Sequence, residues 1–178
     1  MSAAAGPSTP SARGALDRLV VAIDAVSTAA GWFAGWLVVP LTLAVAYEVT
    51  ARYLFNAPTQ WVSTATYVLY GTQFMLAAAY TLLKDGHIRT DVFYGRWAPR
   101  TRAIVDAASY VFFFFPGMVL IFYAGTLEAW LAWDIGERAG GWRAYPFKAV
   151  IPLTALLLLL QGLSELIKCV RVLQRPPR

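Results

Sequence analysis

The sequence holds one cysteine, Cys169, and one histidine, His87. A single cysteine excludes an internal disulfide, a CxxC redox pair and a cysteine-built zinc site. A single histidine, placed in a loop, excludes bis-histidine haem ligation inside a helix bundle and leaves no metal cluster to build. No HExxH, Walker-type loop or Gly-x-Gly-x-x-Gly fingerprint occurs, and no serine has an evident base and orienter. Charge is scarce as well: 14% of residues are charged, against about 25% in soluble domains. These shortages argue against an enzyme. No catalytic, substrate-binding or metal-ligating residue and no cofactor is expected.

What the sequence has in excess is apolar surface. Of its 178 residues 58% are hydrophobic, and the mean hydropathy is +0.54. A soluble domain would have too few polar residues to cover such a core, so the surplus must face lipid. Four runs are free of Asp, Glu, Lys and Arg: residues 25–47, 53–83, 107–127 and 149–164. About 20 helical residues cross a hydrocarbon core of about 30 Å, and backbone groups in lipid must be satisfied within the segment. The expected fold is all-α and integral to the membrane. Four transmembrane helices at about 29–48, 61–83, 106–127 and 147–167 follow an amphipathic interfacial helix at 16–28. The membrane domain covers 16–172. Residues 1–15, broken by Pro7 and Pro10, read as a disordered cytoplasmic tail, and 173–178 as a basic cytoplasmic tail. Pro40, Pro116 and Pro152 each remove a donor inside a span, and Pro146 marks the opening turn of the fourth helix.

The interfacial helix is read from Leu16, Leu19, Val20, Ile23 and Val26 at three- and four-residue spacing, with Asp17, Arg18 and Asp24 outside that stripe; the alternative is that the segment is simply the polar start of the next helix. The net charge of +5 acts as an orientation signal. With both termini inside, eleven Lys and Arg fall on the cytoplasmic side and four outside. Trp61, Trp130, Trp133, Trp142 and Tyr145 suit the headgroup level. A nucleic-acid partner is not expected; membrane lipids are.

The few polar groups near the spans suggest boundaries and packing. Glu48 and Arg52 lie at i,i+4 past the first span, as a boundary clamp or a partner contact. Glu165 lies within reach of Lys168. Gly31 and Gly35 form a GxxxG pair that permits close helix approach. Thr64, Thr66, Thr72 and Gln73 on the second span, and Gln161 with Gly162 on the fourth, are placed to bond or pack across helices. No ionisable residue sits near the centre of a span, where small four-helix exporters carry a glutamate.

Three motifs then stand in order at helix boundaries: Glu48-Val-Thr-Ala-Arg52-Tyr53 running on to Trp61, Gly86-His87-Ile88-Arg89-Thr-Asp91, and Tyr145-Pro146-Phe147-Lys148 with Pro152, followed by Leu160-Gln161-Gly162. Together, over residues 16–172, they resemble the small four-helix membrane subunit of tripartite ATP-independent periplasmic (TRAP) transporters. The resemblance implies a non-catalytic scaffold in the bacterial inner membrane. Its partners would be a large multi-spanning permease subunit, which holds the substrate and cation sites, and a periplasmic solute-binding protein. The implied activity is uptake of an organic acid or related solute driven by a cation gradient. It also marks Glu48, Arg52, Tyr53 and Trp61 at the outer edge, His87, Arg89 and Asp91 in the inner loop, and Pro146, Lys148, Pro152, Gln161 and Gly162 at the fourth helix as contact or boundary residues. Relatives often carry an acid shortly after the tryptophan; here Trp61 is followed by Val62, Ser63, Thr64, Ala65 and Thr66. The alternatives are a membrane anchor of a redox complex and an autonomous small exporter.

Overall fold

The computed structural model describes residues 12–84, 97–139 and 141–174. The inner-loop residues His87, Arg89 and Asp91 lie outside them. The chain forms α1 (Ala12–Trp36), α2 (Val38–Leu54), α3 (Gln60–Leu83) and α4 (Pro99–Ser109). A π-helical turn (Tyr110–Phe114) joins α4 to α5 (Phe115–Asp134). A two-stranded hairpin, β1 (Arg138–Ala139) with β2 (Trp142–Arg143), leads to the short α6 (Tyr145–Lys148) and the long α7 (Val150–Gln174).

Proline sets the irregularities. Pro40 has no N–H to give the carbonyl of Trp36, and its ring crowds that carbonyl. The α-helix is interrupted at Leu37, whose N–H is shared between the carbonyls of Phe33 and Ala34, both at 3.2 Å. No break separates residues 16–28 from 29–36, which carry no proline. The segment expected as an interfacial helix is therefore continuous with the start of the first span. Before Pro116 the helix widens, and Phe115 N–H reaches Tyr110 C=O in an i→i−5 bond; the wider turn relieves the proline ring against Phe112. Pro152 differs from the expectation of a mid-span kink. It falls in the first turn of α7, where its missing donor costs no helical bond. Pro146 opens α6.

Three rods, Gly14–Leu54, Arg100–Asp134 and Tyr145–Gln174, are long and apolar enough to cross a membrane. At 24 residues α3 has the length, but hydroxyl and amide side chains (Thr64, Thr66, Tyr67, Tyr70, Thr72 and Gln73) dilute its apolar content.

α7 lies at the centre, packed against α1, α3, α4 and α5, while α3 also packs on α1 and α2. The buried residues are mostly small: Ala34, Ala51, Ala79, Ala103, Ala129, Ala132 and Ala155, with Ser27 and Ser164. Large side chains such as Trp32, Phe33, Leu43, Phe112, Phe113 and Leu120 point outward. This is how helices pack in lipid, where close backbone approach replaces the hydrophobic drive between helices. Gly31, Gly125 and Gly162 mark the tightest approaches. A Cβ on Gly31 would meet the Tyr80 ring at 2.5 Å, one on Gly125 would meet Ile151 Cγ2 at 2.8 Å, and one on Gly162 would meet the Phe114 ring. Gly35 has nothing within 4 Å, so only one member of the GxxxG pair is used within the chain.

Candidate functional site: polar clamps at the two ends of the bundle

The first clamp joins α1 to α7. α1 presents Val20, Ile23, Ser27 and Ala34 inward, and Asp24 lies on the same face. Gln161, on α7, is fully buried at 0% exposure. Its Oε1 accepts from Ser27 Oγ at 2.6 Å. Its Nε2 donates to Asp24 Oδ1 at 3.1 Å and to Glu165 Oε1 at 3.0 Å. Ser164 Oγ donates to Asp24 Oδ1 at 2.7 Å. Lys168 Nζ then spans the two carboxylates, 2.9 Å from Asp24 Oδ2 and 2.7 Å from Glu165 Oε1. One cation thus serves two acids, and the amide of Gln161 uses both its donor and its acceptor ends. Further out, Arg171 pairs with Asp17 at 2.7 Å.

Two features of this cluster depart from the sequence reading. Asp24 does not lie outside the packed face; it lies on it, while Leu16, Leu19 and Val26 are exposed. Asp24 and Ser27 escape a stripe through Leu16, Leu19, Val20, Ile23 and Val26, because in a membrane bundle small and polar side chains go inward and many large apolar ones to lipid. A stripe through Val20, Ile23, Asp24, Ser27, Gly31 and Ala34, at the same helical spacing, finds both; Ser164 lies on α7, three residues after Gln161.

The second clamp lies at the other end of the rods. Glu48 on α2 is an anchor for the next helix as well as the partner of Arg52. Its Oε1 accepts from Arg52 Nη2 at 2.6 Å and Nε at 3.1 Å. Its Oε2 accepts from Thr59 N–H at 3.2 Å and from the Thr59 hydroxyl. Thr59 is the N-cap of α3, so its hydroxyl serves Glu48 instead of capping its own helix. The chain between turns through Asn56, whose φ of 50° is a left-handed conformation that asparagine tolerates. Tyr47 and Trp61 meet with centroids 5.9 Å apart, and Tyr53 projects outward.

At the same end Lys148 binds Glu137 at 2.7 Å and Glu128 at 3.3 Å, drawing α6, the hairpin and α5 together. Trp133 meets Tyr145 edge to face at 4.9 Å. Pro152 packs against Gly125. Of the residues marked from the sequence, Gln161 and Gly162 stand in or beside the first clamp. Glu48, Arg52 and Trp61 form one group at the second end, and Lys148, Pro146 and Pro152 another. Among the described residues Gln73 Oε1, like Thr154 Oγ1, is buried without a hydrogen-bond partner.

Along each rod the charged levels are separated by a charge-free stretch. From Asp24 to Glu48, and from Lys148 to Glu165, the rise is about 36 Å and about 26 Å at 1.5 Å per residue. What this arrangement does chemically is fix helix ends at two levels, with apolar surface between.

The family model described as "Tripartite ATP-independent periplasmic transporters, DctQ component" matches residues 41–172, most of the chain. The chain belongs to this family. It is therefore a membrane protein and a TRAP transporter small permease subunit, a transport component. The match begins beyond Asp24 and Ser27 but takes in Gln161, Ser164, Glu165 and Lys168, and the whole Glu48 and Lys148 groups. No curated protein sequence matches the chain.

Proposed function

We propose that this chain is a non-catalytic scaffold that holds a large permease subunit in the bacterial inner membrane, within a cation-driven system that imports an organic acid or related solute from a periplasmic binding protein. The observation that carries this reading is the pair of charged levels about 26–36 Å apart, with no charged side chain between them on any of the long helices. A charged group near mid-membrane is the usual mark of a solute or ion path. A scaffold needs firm ends and an apolar flank.

In this reading α3 is the fourth crossing and both termini are cytoplasmic. The Asp24–Gln161–Lys168 clamp sits at the cytoplasmic headgroup level and the Glu48 and Lys148 groups at the periplasmic one. The first turns of α1 continue past the hydrocarbon beside the last turns of α7, tied by Asp17 and Arg171.

The test is uptake in a strain lacking this chain, with the large permease and binding protein retained. Uptake should be abolished and restored by the gene in trans, and the tagged chain should co-purify with the permease. Normal uptake without the chain would sink the proposal, as would transport by the reconstituted chain alone.

A further inference from the structure

The face of α3 that points away from the bundle carries a row of aromatic side chains, two of them tyrosines, around the middle of the helix. Tyr67, Tyr70 and Phe74 recur at three- and four-residue spacing and are 78%, 60% and 71% exposed. Tyr70 and Phe74 stack with centroids 6.3 Å apart. Between them Gly71 leaves a notch in which an added Cβ meets nothing within 4 Å. Among the described residues neither phenol hydroxyl has a hydrogen-bond partner.

Depth makes this unusual. Tyr70 and Phe74 flank the midpoint of the 24-residue α3, and Tyr67 lies about 7 Å from it at 1.5 Å per residue. Tyrosine favours the membrane–water interface, where its ring is apolar on one side and its hydroxyl wet. At the middle of a core about 30 Å thick, the hydroxyl of Tyr70 reaches neither headgroup region. Hydrocarbon supplies no acceptor, and an unpaired hydroxyl there is costly. On the Arg100–Asp134 rod the outward residues nearest the midpoint, such as Val119 and Leu120, carry no such group, and its exposed Tyr123 stands alone, about 9 Å from the middle.

We propose that the Tyr67–Tyr70–Gly71–Phe74 face of α3 is the surface on which a transmembrane helix of the large permease subunit docks. That helix accepts hydrogen bonds from the two phenols through a hydroxyl, amide or backbone carbonyl and seats a side chain in the Gly71 notch. Small-residue notches and interhelical hydrogen bonds are the two devices by which membrane helices recognise one another. The complementarity is one of donors to acceptors, which a lipid chain cannot meet. The proposal rests on the scaffold reading above and on α3 crossing the membrane.

A photo-crosslinking residue placed at Tyr70, with Leu120 on α5 as the control position, tests it in the assembled complex. Irradiation should join position 70, and not 120, to the permease. Crosslinking to the permease at 120 alone, to a second copy of this chain at 70, or to lipid alone at 70 would each overturn the proposal. Failure of the unmodified chain to co-purify with the permease would instead bring down the scaffold reading. The double variant Tyr67→Phe, Tyr70→Phe keeps the rings and removes only the hydroxyls. It should weaken co-purification by roughly threefold per hydroxyl and leave the melting temperature of the isolated chain unchanged. Unweakened association, or a lowered melting temperature, would count against it.

Discussion

Gln161 is the residue on which the first clamp turns, because one amide satisfies Ser27, Asp24 and Glu165 at once. Leucine has nearly the same volume but neither end of the amide. Gln161→Leu should strand the Ser27 hydroxyl and take a donor from both acids, costing about 1–2 kcal/mol; thermal unfolding of the detergent-solubilised chain measures it. Ser27→Ala removes one end of a single bond, so its cost should stay below about 1 kcal/mol. At the opposite end, Glu48→Ala should release Thr59 as well as Arg52, whereas Arg52→Ala leaves the Thr59 bonds in place. Limited proteolysis of the 55–59 turn should therefore rise clearly in Glu48→Ala and little in Arg52→Ala. Equal rates in the two variants would show that the carboxylate does not hold the turn.

At the scale of elements, glycine and alanine decide how close the helices come, and position within a motif matters more than the motif. Gly31 and Gly35 stand one turn apart, yet only Gly31 touches another helix, through Tyr80. Gly31→Leu should separate α1 from α3 and lower the melting temperature of the isolated chain, while Gly35→Leu should leave it nearly unchanged. Gly125 is the stricter case on α5. An added Cβ would lie 2.8 Å from Ile151 Cγ2 and 3.2 Å from the backbone nitrogen of Pro152, and backbone does not swing aside as a side chain can. Gly125→Ala should cost about 1–3 kcal/mol as an overpacked contact. A melting temperature equal to that of the unmodified chain would show that α5 and α7 slide apart freely.

The molecule as a whole is an open arrangement of helices around α7, with small residues inside and large apolar ones outside. Such a chain is soluble only in lipid or detergent, and its flanks are made to be covered by hydrocarbon or by another subunit. The orientation proposed above gives a direct check in a Cys169→Ser background. An impermeant maleimide should label Arg143→Cys in intact spheroplasts and Arg100→Cys only after permeabilisation. The reverse pattern would invert the topology and move the Asp24–Gln161–Lys168 clamp to the periplasmic side.

Composition and the spacing of charges were enough to point to a membrane-embedded, helical chain and the approximate places of its long helices, while the family resemblance rested on the three boundary motifs. The first two follow from the cost of burying charge and backbone in hydrocarbon, a cost that every segment meets on its own. The Lys168–Glu165 and Arg52–Glu48 pairs were legible for the same reason, since three- and four-residue spacing is local. Which face of α1 turns inward was not. Asp24, Ser27 and Ser164 gain their meaning only when α1 and α7, more than 130 residues apart in the chain, are brought side by side. Likewise the second partner of Glu48, the use of Gly31 over Gly35, and the exposure of Tyr67 and Tyr70 depend on which helix lies against which. In lipid that choice is made by fit between small residues and by pairing of polar groups, both properties of two surfaces together, and tertiary structure alone decides them.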